Sequence, residues 1–374
     1  MGLNWVLSQD LTQWMVTDMS TRRQFLAGLL ATGLSPNPTW AEIGSPAYLS
    51  SAAQADGSYL LCGIGADLKT LFEIPLPARG HAAAAHRSRP EAVAFARRPG
   101  TFAVVIDCMT KRPKARLVSP KGRHFYGHGV FSRKGEWLFT TENDYEAGKG
   151  IVGVWDVLNG YKRMAEFSSG GIGPHDIKRL PDTETLVVAN GGIDTHPETG
   201  RTKLNIQDMA PNLSYIENGL VVEVAALGPE LNKNSIRHLA VSAAGNVAFG
   251  MQWQGGLDLV PLVGLHRRGS VAKTIVLPPL LLRKMRGYVG SIAFTGDERS
   301  IVATSPRGGV VQSYDAAGKG LISSMDLLDA SGVAACEQGV VISSGTGDLR
   351  KLSPISPLIQ RSSDVRWDNH LIGL

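Results

Sequence analysis

Gly127-His128-Gly129-Val130-Phe131-Ser132 is a short strand-like run that ends in the turn Arg133-Lys134-Gly135 and is answered by Trp137-Leu138-Phe139-Thr140-Thr141. After a loop, Gly153-Val154-Trp155-Asp156 adds a third run. Segments rich in β-branched and aromatic residues, broken by glycine-containing turns, read as strands with tight connections. Strand, turn, strand, loop and a strand ending in Asp is the order expected of one blade of a β-propeller.

The same frame recurs along the chain. His175-Asp176-Ile177-Lys178 turns at Pro181-Asp182 into Thr185-Leu186-Val187-Val188-Ala189-Asn190. His238 to Ser242 turns at Ala244-Gly245-Asn246 into Val247 to Gly250, and Ser291 to Thr295 turns at Gly296-Asp297 into Ile301 to Thr304. Val333 to Cys336 turns at Gln338-Gly339 into Val340 to Ser343. Upstream, His81 to Ala85 pairs with Glu91 to Ala96, and Tyr48 to Ser51 with Ser58 to Cys62. These make seven units of about 40–60 residues each, the length of a propeller blade. A sheet of a few short strands cannot bury both faces alone, whereas a closed ring stacks each sheet between two others. The expected architecture is therefore all-β: one seven-bladed β-propeller of the WD40/YVTN-like kind, comparable to the β-chain of quinoprotein amine dehydrogenase. Six or eight blades stay open, because the first and last units are degenerate. The tail Val365-Arg366-Trp367-Asp368-Asn369-His370-Leu371 is available to complete a blade with the N-terminal strands.

Four units place a histidine in one slot: His81, His128, His175 and His238. The steps from 81 to 128 and from 128 to 175 are both 47 residues, as equivalent positions in adjacent blades require. Each histidine is expected to open the innermost strand of its blade, so the four should converge on one mouth of the central channel. Neutral imidazole is the commonest metal ligand. A ring of imidazoles suits a transition metal, iron or copper, or a haem. Repeats also inherit histidines for packing or for ordering turns, and that alternative stands beside the metal reading. His124, four residues before His128, is placed to assist.

A second group is Glu142-Asn143-Asp144-Tyr145-Glu146, in the loop after the second strand of its blade. Clustered carboxylates hold cations or move protons, although in loops they are more often solvated. The corresponding loop of the next unit carries Asn190, Asp194 and His196. The two loops are expected to be neighbours and to form one ligand-facing rim.

Near the start, Arg22-Arg23 precedes the apolar run Phe25 to Leu34 and the small-x-small site Thr39-Trp40-Ala41. This is the layout of a twin-arginine export signal. It predicts a leader over residues 1–41, of which 1–18 read as a misassigned extension, and a mature domain over 42–374 in the periplasm. The net charge of +5 is scattered, without basic runs interleaved with aromatics, so nucleic acid is not an indicated partner. No run after the leader is long enough to span a bilayer. Cys62, Cys108 and Cys336 lie in neither CxxC nor CxxCH spacing, which removes the usual redox and c-haem motifs; they read as small buried hydrophobes. The Gly-x-Ser-x-Gly elbow and the Walker loop are absent too.

The runs Arg89 to Gly100, Phe125-Tyr126-Gly127-His128-Gly129, Thr141-Glu142-Asn143-Asp144, Ala189 to Ile193, Ser235-Ile236-Arg237-His238-Leu239-Ala240, Thr304 to Gly309 and Trp367 to Leu371 resemble a family of bacterial exported propellers that carries only a domain-of-unknown-function label. The resemblance covers essentially the whole mature chain. It implies twin-arginine export, an imelysin-like periplasmic partner and a role in periplasmic iron handling. The family has no established activity, so it transfers no catalytic residue. The leading expectation is a non-enzymatic propeller that binds a metal, a haem or a protein partner in iron acquisition. The rivals are a lactonase-like hydrolase or metal-dependent oxidoreductase, and a metal-free interaction scaffold.

Overall fold

The computed structural model describes residues 38–97, 100–200, 202–353 and 359–374. The export signal expected at Arg22 and Arg23 lies outside the described residues. Among the described residues the strands form seven four-stranded antiparallel sheets. Blade 2 is Gly80–Ala85, Glu91–Ala96, Phe102–Asp107 and Arg112–Val118, and each later blade repeats this meander from the axis outwards. The innermost strands of blades 3 to 7 are Arg123–Phe131, Pro174–Arg179, Asn234–Val241, Ser291–Phe294 and Ala330–Cys336.

Blade 1 departs from that order. Its innermost strand is the C-terminal Arg366–Gly373, followed outwards by Tyr48–Ala53, Tyr59–Ile64 and Thr70–Leu76. The reading that made Tyr48 to Ser51 the first strand of its unit is thus corrected by one place. Trp367 pairs with Ala52, Leu371 with Ser50 and Gly373 with Tyr48, so the two ends of the chain share one sheet and close the ring.

The seven hydrophobic clusters among the described residues explain the sequence pattern, because each fills one interface between neighbouring blades. In Glu91–Ala96, Ala92 and Ala94 pack toward blade 1 while Val93 and Phe95 pack toward blade 3. In Leu186–Asn190, Leu186 and Val188 join the interface with blade 3 while Val187 and Ala189 join that with blade 5. A strand buried on both faces reads as a continuous apolar run rather than an alternation. That is why these second strands stand out in the sequence. Outer strands such as Leu220–Ala226 are mostly exposed and read weakly.

Blade 5 has an outermost strand of only two residues, Lys273–Thr274, and the short helix Pro279–Lys284 follows it. Leu282 of that helix, with Met285 and Val289, fills the interface with blade 6. At the N-terminal side, Thr39 caps the turn Trp40–Ile43, and the Trp40 indole donates to the His86 carbonyl at 2.8 Å. The three cysteines are buried and unpaired, and burial pushes the Cys62 and Cys108 thiols up to about 12. Among the described residues, no helix is long and apolar enough to cross a membrane.

Candidate metal centre

Propeller topology carries each innermost strand along the axis, and a local irregularity then turns the histidine inward. The pairing register of blade 2 breaks between Gly80 and Ala83, around His81. Blade 3 breaks between Phe125 and Gly129, around His128, and blade 4 between Pro174 and Asp176, around His175. Blade 5 breaks between Ile236 and His238. A β-bulge frees residues from the ladder and re-aims their side chains. His128 and His238 therefore do not open their strands, which start earlier, at Arg123 and Asn234; the bulges bring them into line with the other two.

A fifth histidine joins the four. The register between Arg366–Gly373 and Tyr48–Ala53 breaks across Asp368, Asn369 and His370. His370 lies 4.5 Å from His81, 4.6 Å from His128 and 5.2 Å from His238, between ring centroids. His81 and His128 are 5.1 Å apart, His128 and His175 5.0 Å, and His175 and His238 4.9 Å. The ligand atoms of His81, His128 and His370 all lie within 4.8 Å of one another. Bonds of about 2.0–2.1 Å from imidazole to one ion require donors about 3.3–4.2 Å apart, within reach of small ring rotations. Gly127 makes room for this approach: its φ is +100°, and a Cβ there would stand 2.5 Å from the His81 ring.

The buried polar atoms point to the same place. His128 Nε2, His370 Nε2 and both ring nitrogens of His238 are buried without a hydrogen-bond partner. An unsatisfied buried polar atom costs about 1–3 kcal/mol, so a group of them at one point calls for a ligand. Two carboxylates stand behind the rings. Asp176 Oδ1 is 3.1 Å from His128 Nδ1, while Asp176 Oδ2 accepts from the Leu239 amide at 2.9 Å. Asp368 Oδ1 is 3.9 Å from His81 Nδ1, and Asp368 Oδ2 accepts from Arg79 Nε at 2.9 Å. At His128 the carboxylate on Nδ1 fixes the tautomer that leaves Nε2 free to ligate, as is usual behind metal-bound histidines, whereas His81 Nδ1, 3.9 Å from Asp368, makes no hydrogen bond. His175 reaches a similar end by donating from Nδ1 to the Arg237 carbonyl at 2.9 Å.

The titration states suit a cation. Burial raises Asp176 and Asp368, but Lys178 and His128 together hold Asp176 well below its ordinary value, and His81 and Arg79 bring Asp368 to about 2. Burial lowers His81 despite Asp368 beside it. Burial, with Arg237 and the neighbouring rings, takes His175 well below 6.5, and burial with the neighbouring rings does the same to His238 and His370. His81, His175, His238 and His370 are thus held toward the neutral imidazole, beside two ionised carboxylates.

Those depressed histidines have a consequence for stability. A ring kept neutral in the fold but protonated when unfolded gives an unfolded state that binds more protons. The contribution is full above pH 6.5 and is lost as pH falls below it, by about 1.4 kcal/mol per ring per pH unit. Asp176 and Asp368 are depressed carboxylates, so their contribution starts to fall only nearer 3.8. Urea unfolding of metal-free protein at about pH 7, 6 and 5 should show a falling midpoint, and the slope should be shallower in a His175→Gln/His238→Gln variant. A flat midpoint across that range would contradict these neutral rings.

The centre divides the axial channel. On one side a cavity of 180 Å³ is lined by His81, His175 and His238. On the other, a cavity of 490 Å³ is lined by His128, Asp176, His238 and His370.

The remaining sequence candidates fall elsewhere. Glu142 does not face a rim; it is fully buried, bridged to Arg163 at 2.6 and 3.0 Å, and accepts from Thr140. Burial raises its pKa against the pull of Arg163. Asn190 is also fully buried, accepting from Ser169 Oγ and donating to Asn212 and Ser214. Both therefore hold their blades together. Asp144 pairs with Arg123 at 3.2 Å and caps the Ala147 amide. The two long loops do meet, since Asn143 Nδ2 donates to the Thr195 carbonyl at 3.1 Å. Tyr145 bridges them, stacked on His124 at 6.0 Å and edge-on to His196 at 4.9 Å. His124 belongs to that rim and not to the central five, because its ring lies against Tyr126 and Tyr145. His196 caps its own turn through Nδ1, 3.9 Å from Glu198 and with Nε2 3.8 Å from Glu146. Asp194 borders the same loops, its amide donating to Asn205 at 2.7 Å.

The residue that sequence reasoning missed is His370. It sits in no repeat frame, because its strand completes blade 1 from the far end of the chain. The signal available is Asp368-Asn369-His370, in the tail that the sequence offers for completing a blade with the N-terminal strands.

No curated protein matches this chain. Among solved structures it is similar in fold to a chain of hydrazine synthase from Kuenenia stuttgartiensis, with a TM-score of 0.59, 13% identity, and coverage of 89% of this chain and 98% of that one. The family described as "Protein of unknown function (DUF1513)" matches residues 74–374, which take in all five central histidines and the closing strand, and the chain belongs to that family.

Proposed function

We propose that this propeller binds one transition-metal ion at its axis, with His81, His128 and His370 as ligands, and that it acts as a non-enzymatic metal-binding protein. The observation that carries the reading is the convergence of those three ligand atoms within 4.8 Å, with two Nε2 atoms buried and unpartnered. Neutral imidazole ligands suit iron, copper, zinc and nickel, and iron or copper is the pair we favour. Three protein ligands leave a further position open. Haem fits less well than a bare ion, because rings 4.5–5.2 Å apart leave no slot between them for a macrocycle. The export signal supports a periplasmic setting, and the family resemblance supports iron handling beside an imelysin-like partner.

Elemental analysis of protein exported natively and purified without a His tag tests the reading. About one iron or copper per chain, removable by chelator and restored on adding that metal, is the expected result. Protein that neither carries nor takes up a transition metal would return the five histidines to a packing role and leave a scaffold as the better reading.

A further inference from the structure

The 180 Å³ cavity beside the metal centre has a chemistry that the metal alone does not explain. Arg97, Arg237 and Arg307 line it with Tyr126 and Tyr288, and among the described residues no carboxylate does. Lys203 adds to the charge: its pKa is lowered first by burial and then by Arg237 and Arg307. Asp176, by contrast, lines the opposite cavity. One mouth of the centre is therefore strongly positive.

Such a mouth repels a bare cation. A cavity edged by several guanidinium groups attracts anions instead. The Arg307 guanidinium stacks on the Tyr288 ring at 4.3 Å. Stacking uses its face and leaves its planar fork of N–H donors for a flat, two-oxygen acceptor, the shape of a carboxylate. His81, a proposed ligand, lines the same cavity. An anion with one carboxylate on the arginines would thus have its other end beside the open coordination position.

We propose that this vestibule binds a small dicarboxylate, one end held by Arg97, Arg237 and Arg307 and the other completing the coordination of the histidine-bound ion. The second half rests on the metal reading above; the first half does not.

Calorimetric titration with malonate tests both, using metal-free and Co(II)-loaded protein, with phosphate as the comparison anion. Malonate should bind the metal-free protein, and binding should weaken at least about tenfold in Arg307→Gln and in Arg97→Gln. On the Co(II)-loaded protein it should bind more tightly and change the visible Co(II) spectrum. Circular dichroism and Co(II) content of each variant separate a lost anion contact from a damaged fold or centre. If Co(II) does not bind, the metal reading fails while the metal-free malonate titration still decides the vestibule. No malonate binding to metal-free wild type up to about 10 mM would overturn the proposal. Phosphate binding as tightly as malonate, with no change in the Co(II) spectrum, would overturn its dicarboxylate part.

Discussion

Alanine at His128 and His370 together should lower transition-metal affinity by more than about a hundredfold, since loss of an outer-shell partner alone costs about 10–100-fold. The pair removes two of the three converging ligands and leaves His81 alone. The same change should not unfold the metal-free protein. It deletes two buried nitrogens that lack partners, but it also takes the His128 ring from the buried Asp176 carboxylate 3.1 Å away, so metal-free stability should fall while a cooperative unfolding transition remains. Metal titration followed by competition with a chelator measures the first effect, and urea unfolding measures the second. A His266→Ala variant is the contrast: His266 is buried between the Tyr215 hydroxyl at 2.7 Å and the Ser270 carbonyl at 3.0 Å, so its loss should cost stability and spare the metal. Unchanged metal affinity in the His128/His370 variant would remove the proposed centre.

Truncation before Arg366 should abolish cooperative folding. It removes the innermost strand of blade 1, the C-terminal segment that pairs with the N-terminal strand Tyr48–Ala53. Trp367 and Leu371 leave the cluster between blades 7 and 1, where they pack with Tyr48, Leu60, Val341 and Leu349. The exposed edge of Tyr48–Ala53 then offers unpaired backbone groups, an aggregation hazard. The milder Trp367→Ala change should cost about 3–5 kcal/mol by cavity formation, read as a lower midpoint in urea. A synthetic peptide of residues 364–374 added to the truncated chain should restore part of the fold and, through His370, metal binding. A truncated chain that melts like the intact protein would show that the ring does not depend on this closure.

The blade frame was legible because the second strands, buried on both faces, are continuous apolar runs closed by glycine-containing turns; Val187 to Ala189 and Val340 to Ile342 are examples. Four of the five histidines were legible because they recur at one slot of the blade frame, and the steps of 47 residues from His81 to His128 and from His128 to His175 mark equivalent positions in adjacent blades. Glu142 and Asn190 misled for a physical reason. A carboxylate and an amide at the end of an apolar strand look like loop residues ready for a ligand, and nothing local shows that Arg163 or Ser169 will meet them. Arg163 lies 21 residues from Glu142, on the outermost strand of the same blade.

The sequence by itself determined the all-β class, the repeating blade frame and the shared slot of four histidines, because these follow from period, burial pattern and turn chemistry, which are local; the count of seven blades, left open between six and eight, needed the strand pairing. Only the tertiary structure decided that His370 belongs with them, that Asp176 stands behind His128 rather than its own neighbour His175, and that three arginines from different blades face one side of the centre. Ring closure and β-bulges set those contacts. Both depend on how distant strands pair, and pairing between residues 321 apart, such as Ser50 and Leu371, leaves no mark on the local pattern of either segment.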